Sequence, residues 1–315
     1  MKWLGALLLA LAVPAQAAAP AMVKLATGSE LATWTFPGSG PRRHAVPVLF
    51  LHGGPGLYTE ARRFDEGAPL RAAGFDTIYF DQAGGGRSAR LKAGDYSLDR
   101  AIADVEALRI ALGHEQLVLW GNSWGAALAT VYASRHPGRV AGFVLTAPGM
   151  FPGFGGKRDY SRTDRDKVEY AKDVTAAVNR IDRDGGAAEA DLPQDRAGAI
   201  FDTMVSAELI DGVVCKGTAV KPPPLPGGGN LYVNRLISRD LKALKFTPGP
   251  LVKVPAIIVR GSCDYLPMSS AERYAALLGA PVLAVADAGH GLLEQRAAVD
   301  AAIASFAQGP LASVK

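Results

Sequence analysis

The sequence predicts an α/β protein whose mostly parallel sheet is covered by helices on both faces. Short apolar runs of strand length alternate with segments of helical periodicity along most of the chain. Most of these runs are apolar throughout, which is typical of strands buried on both faces. A G-x-S-x-G pentapeptide also joins one apolar run to a helical, alanine-rich segment. Glycine destabilises the interior of a helix or strand, so these two glycines indicate a tight corner between a strand and a helix.

The strands and helices follow from local pattern. The predicted strands cover residues 46–51, 77–80, 117–120, 140–146, 256–260 and 282–285. One helix is expected over residues 98–112, with Ser97 as its N-cap and Gly113 as its stop. The next is expected over 126–136, before Pro137.

The alternation of strands and helices lapses between residues 151 and 246. This stretch opens with a glycine-rich run, continues with charged helical sequence, and later holds a proline- and glycine-rich segment at 222–229. We predict that residues 151–246, called the cap below, form a mostly helical insertion. Residues 18–150 and 247–315 then form the core, because the returning chain resumes the same sheet.

The N-terminus has the layout of a secretory signal peptide. Met1-Lys2 is positively charged, residues 3–13 are apolar, and 15–17 read Ala-Gln-Ala, a small-residue cleavage site. A membrane anchor is the alternative, but the apolar run is well short of the roughly 20 residues that a spanning helix needs. We therefore expect cleavage after Ala17, a secreted or periplasmic protein, and no membrane contact afterwards.

Composition and cysteine count limit the possible partners. The chain has 315 residues, is 49% hydrophobic and 20% charged, and carries a net charge of +4. The sequence has no marked run of lysines or arginines, so we expect no nucleic-acid partner. Two cysteines, Cys215 and Cys263, are too few for a zinc cage, and they form either one bridge or two buried thiols. We expect neither a metal nor an organic cofactor.

Three residues in chain order predict a nucleophilic hydrolase. A serine hydroxyl needs a base to take its proton and an acid to orient that base. After Ser123, Asp264 directly follows one predicted strand and His290 follows the next. The order Ser, Asp, His at strand ends fits a catalytic triad.

Other acids and histidines fit these roles less well. Asp287 is too near His290 in sequence to reach it from another strand end. His136 ends a helix before a proline, His114 lies in a turn, and His44 precedes the sheet. We therefore assign the acid to Asp264 and the base to His290.

An acyl-transfer site also needs N–H donors for the oxyanion. His52-Gly53-Gly54-Pro55-Gly56 follows the first core strand, and we assign one donor to Gly54. Trp124, directly after the nucleophile, supplies the other, and its ring is a candidate substrate contact. His52 is expected to shape this loop, and Asp81 to organise a glycine turn.

These motifs resemble the proline iminopeptidase family of α/β hydrolases. The resemblance rests on HGGPG at 52–56, the segment at 81–88 and G-N-S-W-G at 121–125. It covers about residues 45–150 and resumes over 254–295. It implies the α/β-hydrolase fold and a serine aminopeptidase whose helical cap recognises a free N-terminal amine. The chain differs from the family pattern at Ala83, where an arginine is usual. It also lacks an acid at 227–232, so Glu208 is the best candidate for an amine ligand in the cap, with Glu169 and Glu189 as poorer choices.

The sequence thus predicts an exported serine hydrolase, an aminopeptidase on short peptides. Small neutral esters or lactones are the alternative substrates. A third hypothesis is a non-catalytic binding protein of the same fold. The complete Ser-Asp-His order argues against the binding protein, because a binding pocket needs no triad.

Overall fold

The computed structural model describes residues 19–163, 172–247 and 253–314, and at 207–211 it describes the backbone alone. The predicted signal peptide lies outside these residues. In the described ranges, no helix combines the length and apolar character needed to cross a membrane.

One sheet organises the described residues. Its order is β1-β2-β4-β3-β5-β6-β7-β8. The strands are β1 Ala21–Lys24, β2 Glu30–Phe36, β3 Val48–Leu51, β4 Thr77–Phe80, β5 Leu117–Ser123, β6 Val140–Pro148, β7 Ala256–Gly261 and β8 Val282–Val285. From β4 to β8 every neighbouring pair is parallel, which confirms the predicted sheet.

The first two strands were not predicted. β1 pairs antiparallel with β2, and β2 pairs antiparallel with β4, so they extend one edge of the parallel sheet. β1 is short and its side chains are largely exposed, so it carries little apolar signal. An edge strand of this kind is difficult to predict from the pattern of apolar residues.

Strand β5 illustrates why the core strands are apolar throughout. Leu117 and Leu119 pack into one hydrophobic cluster with helices of one face. Val118 and Trp120 pack into a second cluster on the other face. Successive side chains of a strand point to opposite faces, so a doubly covered strand must be apolar at every position.

Helices cover both faces and fill the cap. They are α1 Arg62–Glu66, α2 Ala68–Ala72, α3 Leu98–Ala111, α4 Trp124–Arg135, α5 Lys172–Asp184, α6 Gln194–Gly212, α7 Leu231–Ala243, α8 Met268–Leu278 and α9 Arg296–Gln308. Ser97 caps α3 by accepting the Arg100 N–H, as predicted. Helix α4 begins at Trp124, two residues before the expected start.

In the described part of the cap, the helices α5, α6 and α7 lie between β6 and β7. Asn230 ties them to the core: its side chain caps α7, its N–H donates to the Gly56 carbonyl, and its amide donates to the Gly84 carbonyl. Asn234 adds a bond from its amide to the Pro55 carbonyl. The cap therefore rests on the loop that follows β3, and its division from the core as a separate unit stays a prediction.

The two cysteines form a bridge. Cys215, in the cap after α6, is disulfide-bonded to Cys263 in the loop after β7, with the Cα atoms 5.3 Å apart. Of the two alternatives that the sequence left open, the disulfide is the one present in the structure.

Candidate active site

Ser123 occupies a strained corner between β5 and α4. Its φ of 52° is uncommon for a residue with a side chain. The flanking glycines are required by close packing: a Cβ at Gly125 would lie 1.9 Å from the Leu51 carbonyl oxygen, and one at Gly121 would lie 2.6 Å from the Ala126 Cα. The pentapeptide thus turns the chain sharply and presents the serine at the end of the sheet.

The structure brings Ser123, His290 and Asp264 into one hydrogen-bonded chain. His290 Nε2 lies 2.9 Å from Ser123 Oγ. His290 Nδ1 lies 3.0 Å from each oxygen of Asp264. Asp264 Oδ1 also accepts the Leu266 N–H, and both Asp264 and His290 are buried. A buried carboxylate that holds the far ring nitrogen leaves Nε2 free to accept a proton from the serine.

The competing residues lie elsewhere. Asp287 is exposed, and its N–H donates to Ser262 Oγ. His44 stacks on Phe75, and the ring of His136 lies against Tyr132.

The predicted oxyanion donors are Gly54, which lines the same cavity as Ser123, and Trp124, the next residue in the chain. The loop that follows β3 packs on the serine, because a Cβ at Gly53 would lie 3.2 Å from Ser123 Cβ. Within the described residues the Gly54 N–H donates to no acceptor. The Trp124 N–H is the first of α4 and so has no partner inside that helix. Their role as oxyanion donors stays a prediction.

The Trp124 ring does not line the cavity beside Ser123. It is 3% exposed, and its indole N–H donates to Gln82 Oε1. The Gln82 side chain in turn donates to the His52 carbonyl. The ring therefore supports the loop after β3 through Gln82. We expected it as a candidate substrate contact, and the structure does not place it in the cavity.

His52 is a structural member of the loop, as predicted. Its Nε2 accepts the Gln82 N–H at 2.9 Å, and its Nδ1 lies 2.8 Å from the Gly53 carbonyl oxygen. Burial lowers the pKa of His52 to about 4. The ring is therefore neutral near pH 7, with its proton on Nδ1 and no nitrogen free for proton transfer.

Asp81 organises the glycine turn, also as predicted. Its two oxygens accept the N–H groups of Thr59 and Arg87. Burial raises the pKa of Asp81 to about 6, and these two N–H donors oppose that rise. The residue holds two loops together and lies outside the cavity that contains Ser123.

A cavity of about 290 Å³ opens beside Ser123. Core residues of the triad and of the loop after β3 form one side, and the cap forms a mostly apolar side. The apolar residues of the cap lining are Phe201, Met204, Val205, Val213, Pro222, Pro223, Pro224 and Leu225, and its polar residues are Arg158, Tyr160, Ser206 and Asn234. The sequence did not predict these lining residues, because no motif marks them.

A charged cluster borders the same cavity and was also missed. Glu60 accepts two hydrogen bonds from Arg62, and Glu66 accepts from both Arg62 and Arg63. Burial raises the pKa of Glu60, but Arg63 and Arg62 hold it below its ordinary value overall. Arg63 also donates to the Asn122 side chain, next to the nucleophile. The only signal in the sequence was the dense run of charges at 60–66.

Two further site predictions concern ligands. Glu208 belongs to α6, but its side chain lies outside the described residues, so its position relative to the cavity stays a prediction. In the described parts of the chain, no group of three or more His, Cys, Asp or Glu side chains is arranged to hold a metal ion.

Comparisons with known proteins agree with this fold. Residues 46–209 match the family model described as the alpha/beta hydrolase fold. A probable proline iminopeptidase of Streptomyces coelicolor is 40% identical over 111 residues, which are 33% of this chain and 33% of that protein. The proline iminopeptidase of Neisseria meningitidis is 41% identical over 103 residues, 32% of each. Each match thus spans about a third of the length of the curated relative.

Solved structures resemble nearly the whole chain at lower identity. An esterase from Thermogutta terrifontis has a TM-score of 0.60 at 20% identity and covers 90% of this chain and 97% of its own. An esterase from Exiguobacterium antarcticum has a TM-score of 0.58 at 17% identity and covers 92% of this chain and 100% of its own. At such identities the likeness concerns the fold alone.

Proposed function

The chain belongs to the α/β-hydrolase fold family, and we propose that it is an exported serine hydrolase that works through an acyl-enzyme. The hydrogen-bonded chain from Ser123 through His290 to Asp264 is the observation that carries this proposal. The activity that we propose is release of N-terminal residues from short peptides.

Acylation begins with attack by Ser123 Oγ on a carbonyl carbon bound in the cavity. His290 Nε2 is 2.9 Å from Oγ and takes its proton as the new C–O bond forms. Asp264 keeps the proton of the imidazole on Nδ1 and stabilises the positive charge that the ring gains. When the tetrahedral intermediate collapses, the imidazolium gives its proton to the leaving amine or alcohol.

The developing oxyanion is stabilised by the N–H groups of Gly54 and Trp124. Preorganised donors of this kind act without rearrangement, and losing one costs about 10²- to 10³-fold in rate. The support is the rigidity of the loop: His52 and Gln82 bond to each other and to backbone on both sides. Water then attacks the acyl-enzyme, with His290 as the base, and Ser123 leaves as the hydroxyl.

An aminopeptidase must bind the ammonium group of its substrate at a fixed distance from the nucleophile. A buried ammonium needs a carboxylate partner. Among the described residues that line the cavity Glu60 supplies one, and Glu208 remains the candidate from the sequence. The curated relatives named proline iminopeptidase support this substrate class.

Hydrolysis of small neutral esters or lactones is the second candidate function. The charge of the cavity favours it: Glu60 is the one carboxylate among the described residues of the lining, and it is already paired with Arg62. The described cap residues of the lining contribute no carboxylate.

Export is part of the proposal. The N-terminal pattern supports it, and so does the Cys215–Cys263 disulfide, because such bonds persist in oxidising compartments. N-terminal sequencing of the protein from an extracytoplasmic fraction should begin at Ala18. Recovery of a chain that still begins at Met1 would contradict cleavage.

Three matched substrates separate the candidate functions: alanyl or prolyl p-nitroanilide, its N-acetyl derivative, and p-nitrophenyl acetate. The peptidase predicts cleavage of the free-amine anilide and its loss on acetylation. Glu60→Gln, Glu208→Gln or both should then raise KM for the anilide with less effect on the ester, while Glu272→Gln on the exposed face of α8 changes neither. Equal rates on free and acetylated anilides would overturn the peptidase in favour of the esterase.

A further inference from the structure

The two partners of Ser123 come from separate loops of the core, and one short stretch of the cap contacts both loops. Asp264 directly follows Cys263 after β7, and His290 lies in the loop after β8. Residues 213–215, which follow α6 and are called the brace below, contact both.

The brace contacts the His290 loop directly. The Val213 carbonyl accepts the Gly291 N–H at 2.7 Å. On the other side of the histidine, a Cβ at Gly289 would lie 2.3 Å from the same carbonyl oxygen. The residues before and after His290 are thus packed against one peptide group of the cap, which limits how the loop can move.

Glu294 joins the brace to the same loop a second time. Its Oε1 accepts the Cys215 N–H at 2.6 Å, and its two oxygens lie 3.3 and 3.2 Å from the Gly289 nitrogen. Hydrogen bonds to a carboxylate are about twice as strong as neutral ones. A glutamate that takes N–H groups from the cap and from the residue before His290 therefore fixes their separation.

The disulfide joins the brace to the acid loop. Cys215 is bonded to Cys263, and the Cys263 N–H donates to the Ala288 carbonyl at 2.9 Å. Asp264 is thus one residue from a covalent link to the brace. The acid loop and the His290 loop are held to each other and to the same three residues of the cap.

We infer that Glu294 and the Cys215–Cys263 disulfide are positioning elements that hold Asp264 and His290 in register with Ser123. The inference rests on the proposed catalytic roles of these three residues. Neither element touches the reacting atoms, so each acts through the loops that it holds. A misplacement of about 1 Å in a catalytic group can cost about 10²-fold in rate.

The test uses the mature protein with Glu294→Gln and, separately, with Cys215→Ser and Cys263→Ser together. Glu272→Gln is the matched surface control. The readouts are the rate at which a fluorophosphonate labels Ser123, kcat and KM for p-nitrophenyl acetate, and Tm. We expect labelling and kcat to fall about 10- to 100-fold with KM within about twofold, at temperatures where each variant is folded.

The two ideas fail in different ways. If the wild-type protein takes no label, the proposed function fails, and this inference fails with it. If the wild type is labelled and both variants match its labelling rate and kcat, whatever their Tm, the two elements serve stability alone and the inference is overturned. If Glu294→Gln does not fold, the variant with both Cys215→Ser and Cys263→Ser tests the inference by itself.

Discussion

The core and the cap of this molecule differ in how they contribute to the cavity. The core side is polar and tightly bonded: Ser123, His290 and Asp264 are joined at about 3 Å, and His52 has both ring nitrogens occupied. The cap side is mostly apolar and contacts the cavity through side chains such as Met204, which make no hydrogen bond to the triad among the described residues.

This difference separates the residues that determine the reaction from those that determine the substrate. The core carries the reaction, because acyl transfer demands fixed distances between specific groups. The cap wall that lines the cavity determines which substrate fits, because shape and charge can vary there, away from the brace at 213–215, without disturbing the triad. Changes in the core or in the brace should therefore lower the rate for every substrate, and changes in the cap wall should alter the preference among substrates.

The largest expected effect is that of Ser123→Ala. Removing the nucleophile should lower kcat by about 10⁴-fold or more on anilides and esters alike. Ser134→Ala, on the helix that follows, is the control and should match the wild type. Residual turnover within about tenfold of the wild type in carefully purified variant would show that another group attacks the substrate.

Asp264→Asn should cost about 10⁴-fold in kcat, because the amide favours the wrong imidazole tautomer. The loss should be the same for each substrate, since the acid does not contact the substrate. Asp287→Asn, on the neighbouring loop, is the matched control. A larger loss in Asp287→Asn than in Asp264→Asn would reverse the assignment of the acid.

His52 should make the core sensitive to acid. Its pKa is lowered from 6.5 to about 4 by burial, so the unfolded chain binds a proton at a pH where the folded chain does not. The contribution of His52 to the free energy of unfolding should therefore fall by about 3 kcal/mol as the pH drops from 6.5 to 4. Urea unfolding of the wild type and of His52→Gln across this range should show a shallower pH slope in the variant. Parallel curves would contradict this account.

Asn230→Ala should weaken the junction between the cap and the core. The side chain is fully buried, caps α7 and bonds to the Gly84 carbonyl. Loss of the N-cap of helix α7 alone costs about 1 kcal/mol of stability, and the Gly84 carbonyl left without its partner adds about 1–3 kcal/mol. Thermal unfolding checks this, with Asn179→Ala on the exposed face of α5 as the control. An unchanged Tm in Asn230→Ala would contradict the proposed junction.

Met204→Ala should change substrate preference more than rate. Removing side-chain volume from the apolar wall should reduce kcat/KM about 10-fold for acyl groups that fill it, and less for acetyl esters. Thr203→Ala, next to it on the exposed face of α6, is the control. An equal loss on large and small acyl groups would break the division between core and cap.

Sequence pattern was sufficient for the core, for physical reasons. Buried parallel strands are apolar at every position, and the corner at Ser123 requires glycines, so both leave a clear local signal. Asp264 and His290 could be located because each follows such a strand. Strand β1 was missed, since a short, exposed edge strand has no comparable pattern. Strand β2 was missed as well, although its central residues are buried.

The cavity wall could not be predicted in the same way. Phe201, Pro223 and Leu225 become neighbours through the packing of the cap, and no spacing in the sequence specifies that. The charged cluster around Glu60 was missed because a run of charges usually lies on a solvated surface. Pairing of Cys215 with Cys263 was left open, since it depends on a distance between Cα atoms that only the fold fixes.

The most direct test of the central claim is the covalent labelling of Ser123. The serine Oγ forms a bond to the phosphorus of a fluorophosphonate, fluoride leaves, and the serine proton passes to His290. Intact-mass and peptide analysis of the mature wild-type protein should find a single adduct on the peptide that contains Ser123, and none in Ser123→Ala. An unlabelled wild type, or an adduct that persists in Ser123→Ala, would contradict the account.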